Sequence, residues 1–195
     1  MTAMPTRVIE PHDAVVVARS WFLEGRAVDM RELATVLAVG RATLYRVVGS
    51  RDRLLGDVID SLGQATLAAS VATAVRAGLT PGVERVVGAA TLMNQAIVGF
   101  APLRTFVTAE PETAFRVLFM PAARVHARAV EGWRRVLGEA ACAGELRLHA
   151  DPGRVAYMWV RIGESVIYAD LLADREPDLE LAATLQRALL EAGPG

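Results

Sequence analysis

The residues with the most to offer chemically are arginines. All 21 basic residues of the chain are arginine and none is lysine. The base composition of the gene is reason enough for such a bias. Its consequence is that every permanent cation carries a planar fork of donors, which matches phosphate oxygens or the O6/N7 edge of guanine. Six arginines (26, 31, 41, 46, 51 and 53) fall within residues 26–53, against three acids (29, 32 and 52). That stretch is +3, whereas the whole chain, with 21 basic and 22 acidic residues, is −1. A chain so balanced does not bind polyanions in general. Any contact to nucleic acid must come from a local cluster, and residues 26–53 supply one.

Other chemistry finds little support. The single cysteine, Cys142, rules out a disulfide framework and a cysteine-rich zinc site. His12, His126 and His149 lie in separate segments, so no metal site is expected, and no cofactor. No GxSxG, HExxH, GxGxxG or P-loop pattern occurs. Glu164, Asp170 and Asp174 fall near one another only as charged helix ends do. The expectation is a non-enzyme with no catalytic residue, in the reducing cytoplasm. The N-terminal stretch MTAMPTRVIEPHD is charged at Arg7, Glu10 and Asp13 and lacks an apolar core, so it is not read as a signal peptide. The longest uncharged window, Val86 to Leu103, is interrupted by Gly88, Asn94, Gln95, Gly99 and Pro102. It reads as a buried helix, and no membrane partner is expected.

The elements that must position the arginines are helices. Apolar residues make up 53% of 195 and charged residues 22%, enough for a core in one domain, or in a small domain joined to a larger one. Helical periodicity predicts a first helix over 11–24, ended by Gly25. Asp29 is placed to cap a short second helix with Leu33, Val36 and Leu37 inward. After a break at Ala38-Val39-Gly40 comes a third short helix, RATLYRV, closed by Gly49. Ser50 caps a fourth reaching about Arg76. Beyond Pro81 follow a helix over 81–100, short pieces between Pro102, Pro111 and Pro121, helices over 121–143 and 151–173, and a last one from Pro177. The expected fold is all-α with nine to ten helices. Residues 1–55 form a three-helix head with a helix-turn-helix, and 56–195 a larger ligand-binding and dimerisation domain.

Two short helices across a three-residue break form the helix-turn-helix pattern, in which the start of the second helix meets base edges in the major groove. Those residues are Gly40, Arg41, Ala42 and Thr43. Arg41 is the candidate guanine reader, and the small Gly40 and Ala42 allow close approach. The alternative is a plain αα-hairpin with solvated arginines.

The segment LATVLAVGRATLYRVVGSRDRLL resembles the DNA-binding region of the tetracycline-repressor (TetR) family of bacterial regulators. The match lies in Leu33-Ala34, Val39, Thr43-Leu44-Tyr45, Ser50-Arg51-Asp52 and Leu54. The resemblance implies an all-α homodimer with a DNA-binding head and a ligand-binding body, phosphate contacts from Thr43, Tyr45 and Arg51, and a core role for Leu44. Arg31 and Arg46 complete the candidate DNA-facing set. Three departures stand out. Ala38 occupies a usual glycine, which would cost about 1 kcal/mol at positive φ. Gly40 replaces the usual serine cap, and Val47 a customary aromatic. Within the family, RATLYRVVGSRDRLLGDV is similar to QsdR-like regulators of quorum-sensing-lactone degradation, which implies a lactone or acyl effector.

For the body, residue type on an apolar stripe is the only guide. Asn94 falls between Val87 and Ala90 on the helix from Pro81, near Ile97. His126 shares a stripe with Ala122, Val125, Ala129 and Trp133. Each is either a satisfied core group or a polar contact to a ligand in an apolar cavity. Phe106, Phe119, Trp133 and Trp159 would be large apolar walls. Tyr157, Arg161, Glu164 and Tyr168 line one face of the helix over 151–173, suited equally to a surface ion pair, a dimer interface or a pocket wall, and Tyr168 joins the candidate ligand set. The expected partners are a double-stranded operator, a small hydrophobic effector and a second copy of the chain. The other reading is a helical protein-binding adaptor that keeps the head as scaffold and binds no DNA.

Overall fold

The computed structural model describes residues 9–192. Arg7, read above as one of the charges of the N-terminal stretch, lies outside them. Eleven α-helices and one 3-10 turn are found among these residues, and no strand. The helices are α1 Pro11–Leu23, α2 Met30–Val36, α3 Arg41–Val48, α4 Arg51–Arg76, α5 Val83–Val98, α6 Ala101–Ala109, α7 Pro111–Phe119, α8 Val125–Cys142, α9 Pro152–Ile167, α10 Ala169–Ala173 and α11 Leu179–Glu191. The count slightly exceeds the expected nine to ten because the helix expected over 151–173 is broken. The Tyr168 backbone leaves the helical region (φ −105°, ψ 25°) and separates α9 from α10. Likewise α8 starts at Val125 rather than at Pro121. Residues 121–123 form the 3-10 turn, and Arg124 sits in the left-handed region (φ 62°).

The chain divides into two compact units, Met1–Asp60 with Ala101–Val125, and Ser61–Phe100 with His126–Gly195. In the first, α1, α2 and α3 pack on one another and bury Ala14, Ala18, Phe22, Leu33, Ala34 and Leu44, and α4 buries Leu54, Leu55 and Val58. The α6 side chain Phe106 meets Phe22 edge to face, with centroids 5.7 Å apart. Gly56 has no room for a side chain, since a Cβ there would run into the Ala123 carbonyl. In the second unit α11 packs on α5 and α9. Its core holds Leu67, Val86, Val87, Ala90, Leu137, Ala156 and the tilted pair Trp133–Trp159, with centroids 5.3 Å apart. By length and composition α4 could cross a membrane. Here it carries Leu54, Leu55 and Val58 in one unit and Leu67 and Ala74 in the other.

Candidate functional site

The α2–turn–α3 geometry follows from its caps. Asp29 Oδ1 accepts the Arg31 and Glu32 backbone N–H groups at 2.8 Å each and so starts α2. Those hydrogen bonds, the one from Glu32 foremost, hold its carboxyl below the usual carboxylate range. At the other end the Val39 N–H reaches back to Ala34 O and the Ala38 N–H to Thr35 O, each at 3.0 Å. This is the Schellman pattern, which places its penultimate residue in the left-handed region. That residue is Ala38, with φ 54°. The strain foreseen from the alanine is therefore present in the turn that orients α3.

Gly40 is the N-cap of α3 and offers no side-chain bond. Leu44 and Val48 face the core. Arg41, Ala42, Tyr45 and Arg46 are exposed and span an arc of about 140° at ~100° per residue, with Thr43 half-buried at its edge. Arg46 Nη2 donates to Thr43 Oγ1 at 3.5 Å. Gly49 closes the helix at φ 81°. Arg31 stands exposed on the first turn of α2.

The arginines of this surface are not equivalent. Arg26 is tied to Glu32 at 2.8 Å and lies 4.8 Å over the Trp21 ring. Arg51 donates Nε to Val28 O at 2.7 Å and both Nη groups to Glu110 at 2.7 and 2.6 Å. The Arg51 and Glu110 side chains keep only 27% and 26% of their exposure. The guanidinium at hydrogen-bond distance holds the Glu110 carboxyl below the usual range, against the opposing effect of burial. Next to it, Arg116 Nε donates to Asp52 Oδ2 at 2.9 Å. Two ion pairs thus join the first turn of α4 to α7. Sequence reasoning missed Glu110, whose partner is 59 residues away; its only local mark is an acid just before a helix-starting proline.

Six of the candidate ligand residues (Asn94, Ile97, His126, Trp133, Trp159 and Tyr168) belong to the second unit. Phe106 and Phe119 belong to the first, against Phe22 and Phe115 respectively. Asn94 is 5% exposed, on the apolar stripe of α5 as expected. His126 Nδ1 faces both Glu164 oxygens at 2.9 and 3.0 Å, and Arg161 donates to the same carboxylate at 3.2 Å. Tyr157 meets the His126 ring edge to face. Gln186, absent from the candidate set, is 2% exposed on α11 between Ala182 and Leu190. It is an amide on an apolar stripe, the very signal that marked Asn94. Its Nε2 donates to Trp159 O at 3.3 Å, while its Oε1 and the Trp159 indole N–H are fully buried without a hydrogen-bond partner among the described residues. An open cavity of about 640 Å³ lies at the start of α9, lined by His149, Arg154, Val155, Tyr157, Met158 and Leu189 among others. None of the candidate ligand residues lines it.

The family described as tetracyclin repressor-like, C-terminal domain, matches residues 81–191. No curated protein matches the chain. Among solved structures, the transcriptional repressor QsdR of R. erythropolis, from the TetR family, is 28% identical with a TM-score of 0.87, covering 95% of this chain and 96% of that one. The TetR-family regulator PfmR of Thermus thermophilus is 19% identical, covers 93% and 97%, and has a TM-score of 0.42. AibR, solved with isovaleryl coenzyme A and operator DNA, is 20% identical, covers 92% and 97%, and has a TM-score of 0.42. These last two superpose too loosely to carry weight.

Proposed function

The chain belongs to the tetracycline-repressor-like (TetR) family of transcriptional regulators, and on that premise we propose that it is a cytoplasmic, ligand-responsive repressor, working as a homodimer without catalysis. The observation that carries the reading is the outward face of α3. It presents Arg41, Ala42, Tyr45 and Arg46 to solvent on a helix whose start carries no capping side chain. A bare Gly40 lets the backbone approach a groove floor, and Arg41 forks onto guanine. Thr43, Tyr45, Arg46 and Arg31 hold phosphates, which fixes register without reading sequence. Residues 1–55 act as the DNA-binding domain and 56–195 as the ligand-binding and dimerisation domain. Two heads on a dimer then read half-sites about one helical turn (~34 Å) apart.

The effector is a small hydrophobic molecule with a hydrogen-bonding group, of the lactone or acyl class. The likeness to QsdR, a transcriptional repressor, supports a repressor role. Two unpartnered buried groups, the Trp159 indole N–H and Gln186 Oε1, support the effector's polar end. Each such group costs about 1–3 kcal/mol until something pairs with it. A bound molecule releases DNA only by its differential affinity for the two head spacings.

A gel shift with the DNA upstream of the chain's own gene tests the reading, repeated with lactones and fatty acyl compounds. Sequence-selective, salt-sensitive binding that one of these compounds abolishes is expected. Absence of binding at low salt would leave the adaptor reading instead.

A further inference from the structure

We propose that Arg53, rather than Arg51, is the phosphate-contacting cation at the start of α4. The inference rests on the DNA-binding reading above and assigns a residue within it. Of the two arginines on this first turn, Arg51 is spent. Its Nε and both Nη groups are engaged at 2.6–2.7 Å by the Val28 carbonyl and the two Glu110 oxygens. A phosphate would have to displace a charge-assisted, bidentate pair that is already half-buried. Two residues on, Arg53 emerges about 200° further round the helix. It is exposed, and among the described residues no carboxylate lies within ion-pair distance of it. Asp57, one turn on along α4, is not free, and the other acids of the head near α4 are occupied too. Asp52 is held by Arg116, Glu32 and Glu24 by Arg26, and Asp29 by the backbone of α2. Among the described residues of the head, none neutralises the Arg53 charge.

The side chain is also placed. Its Cδ lies 3.2 Å, and its Nη1 3.7 Å, from where a Cβ on Gly49 would stand. The side chain therefore runs back along Gly49, the residue that closes α3, while remaining exposed to solvent. Gly49 does two things at once: it adopts φ 81° and has no Cβ to crowd the Arg53 side chain beside it. Because the Arg53 N–H is taken by Ser50 Oγ at 3.1 Å, the backbone beneath the side chain is fixed as well. The partner is a phosphate of duplex DNA flanking the site read by α3.

Fluorescence anisotropy with a sequence-selected duplex and a scrambled one, across a range of salt, tests the assignment. Arg53→Gln is expected to flatten the dependence of log K on log salt by about 0.9 for each head, about 1.8 for the bound dimer, on both duplexes, with an unchanged melting temperature; Arg53→Lys restores the slope. Arg51→Gln is expected to lower the melting temperature and leave the slope alone. The assignment is overturned if Arg53→Gln keeps the wild-type slope, or if Arg51→Gln loses the contact at unchanged melting temperature. Wild-type protein that binds neither duplex at low salt would overturn the DNA-binding reading, and this assignment with it.

Discussion

Ala38 is the residue at which the chemistry of one side chain is most exposed to test. Its φ of 54° is imposed by the Schellman closure of α2, and its Cβ gains nothing in return because the residue is exposed. Ala38→Gly should therefore raise stability by about 1 kcal/mol, measured by urea unfolding. A loss would mean that the turn relaxes in solution. Arg41 and Tyr45 divide the DNA-facing work in a testable way. Arg41→Ala should cost roughly 1–3 kcal/mol and relax base preference at one operator position. Tyr45→Phe should weaken all duplexes alike without changing the preferred sequence. Competition binding with single-base operator variants distinguishes the two outcomes.

At the scale of elements, the joint between α4 and α7 matters most. The Arg51–Glu110 pair ties the start of α4 to the start of α7, and Arg116–Asp52 adds a second tie from the next residue of α4. Glu110→Gln leaves a half-buried guanidinium short of its charge partner and should cost about 1–3 kcal/mol near neutrality. The sign with pH follows from the lowered carboxyl. The Glu110 contribution is fully present above the pKa of an unfolded glutamate and disappears as pH falls through the lower folded value. The gap in melting temperature between wild type and Glu110→Gln should accordingly close on acidification, and a gap that persists would assign the stability to something other than this charge. The joint was invisible in the sequence because its partners are 59 and 64 residues apart, while the caps were legible because they are local. Asp29, Gly25, Gly49 and Ser50 mark the ends of α1 to α4 within a residue or so. The backbone departures at Tyr168 and Arg124 left no such mark. The amide at 94 was found from its stripe, whereas its counterpart at 186 was overlooked though it obeys the same rule.

For the whole molecule, two copies are proposed to present two α3 helices. Half-exposed apolar side chains on α9 and α11, among them Met158, Leu181 and Leu185, are proposed to meet their equivalents in a second copy. Leu181→Arg with Leu185→Arg should give a monomer by light scattering that is still folded by circular dichroism. A dimer that survives both would place the interface elsewhere. Paired DNA reading is measured by selection from a pool of random duplexes by the purified protein, followed by sequencing. Two paired heads should enrich a pseudo-palindrome whose half-sites lie about one helical turn apart, with the base preference at one position of each half-site relaxed when Arg41→Ala protein is used. A pool that stays random at low salt, or a single unpaired half-site bound equally well by both proteins, would contradict it.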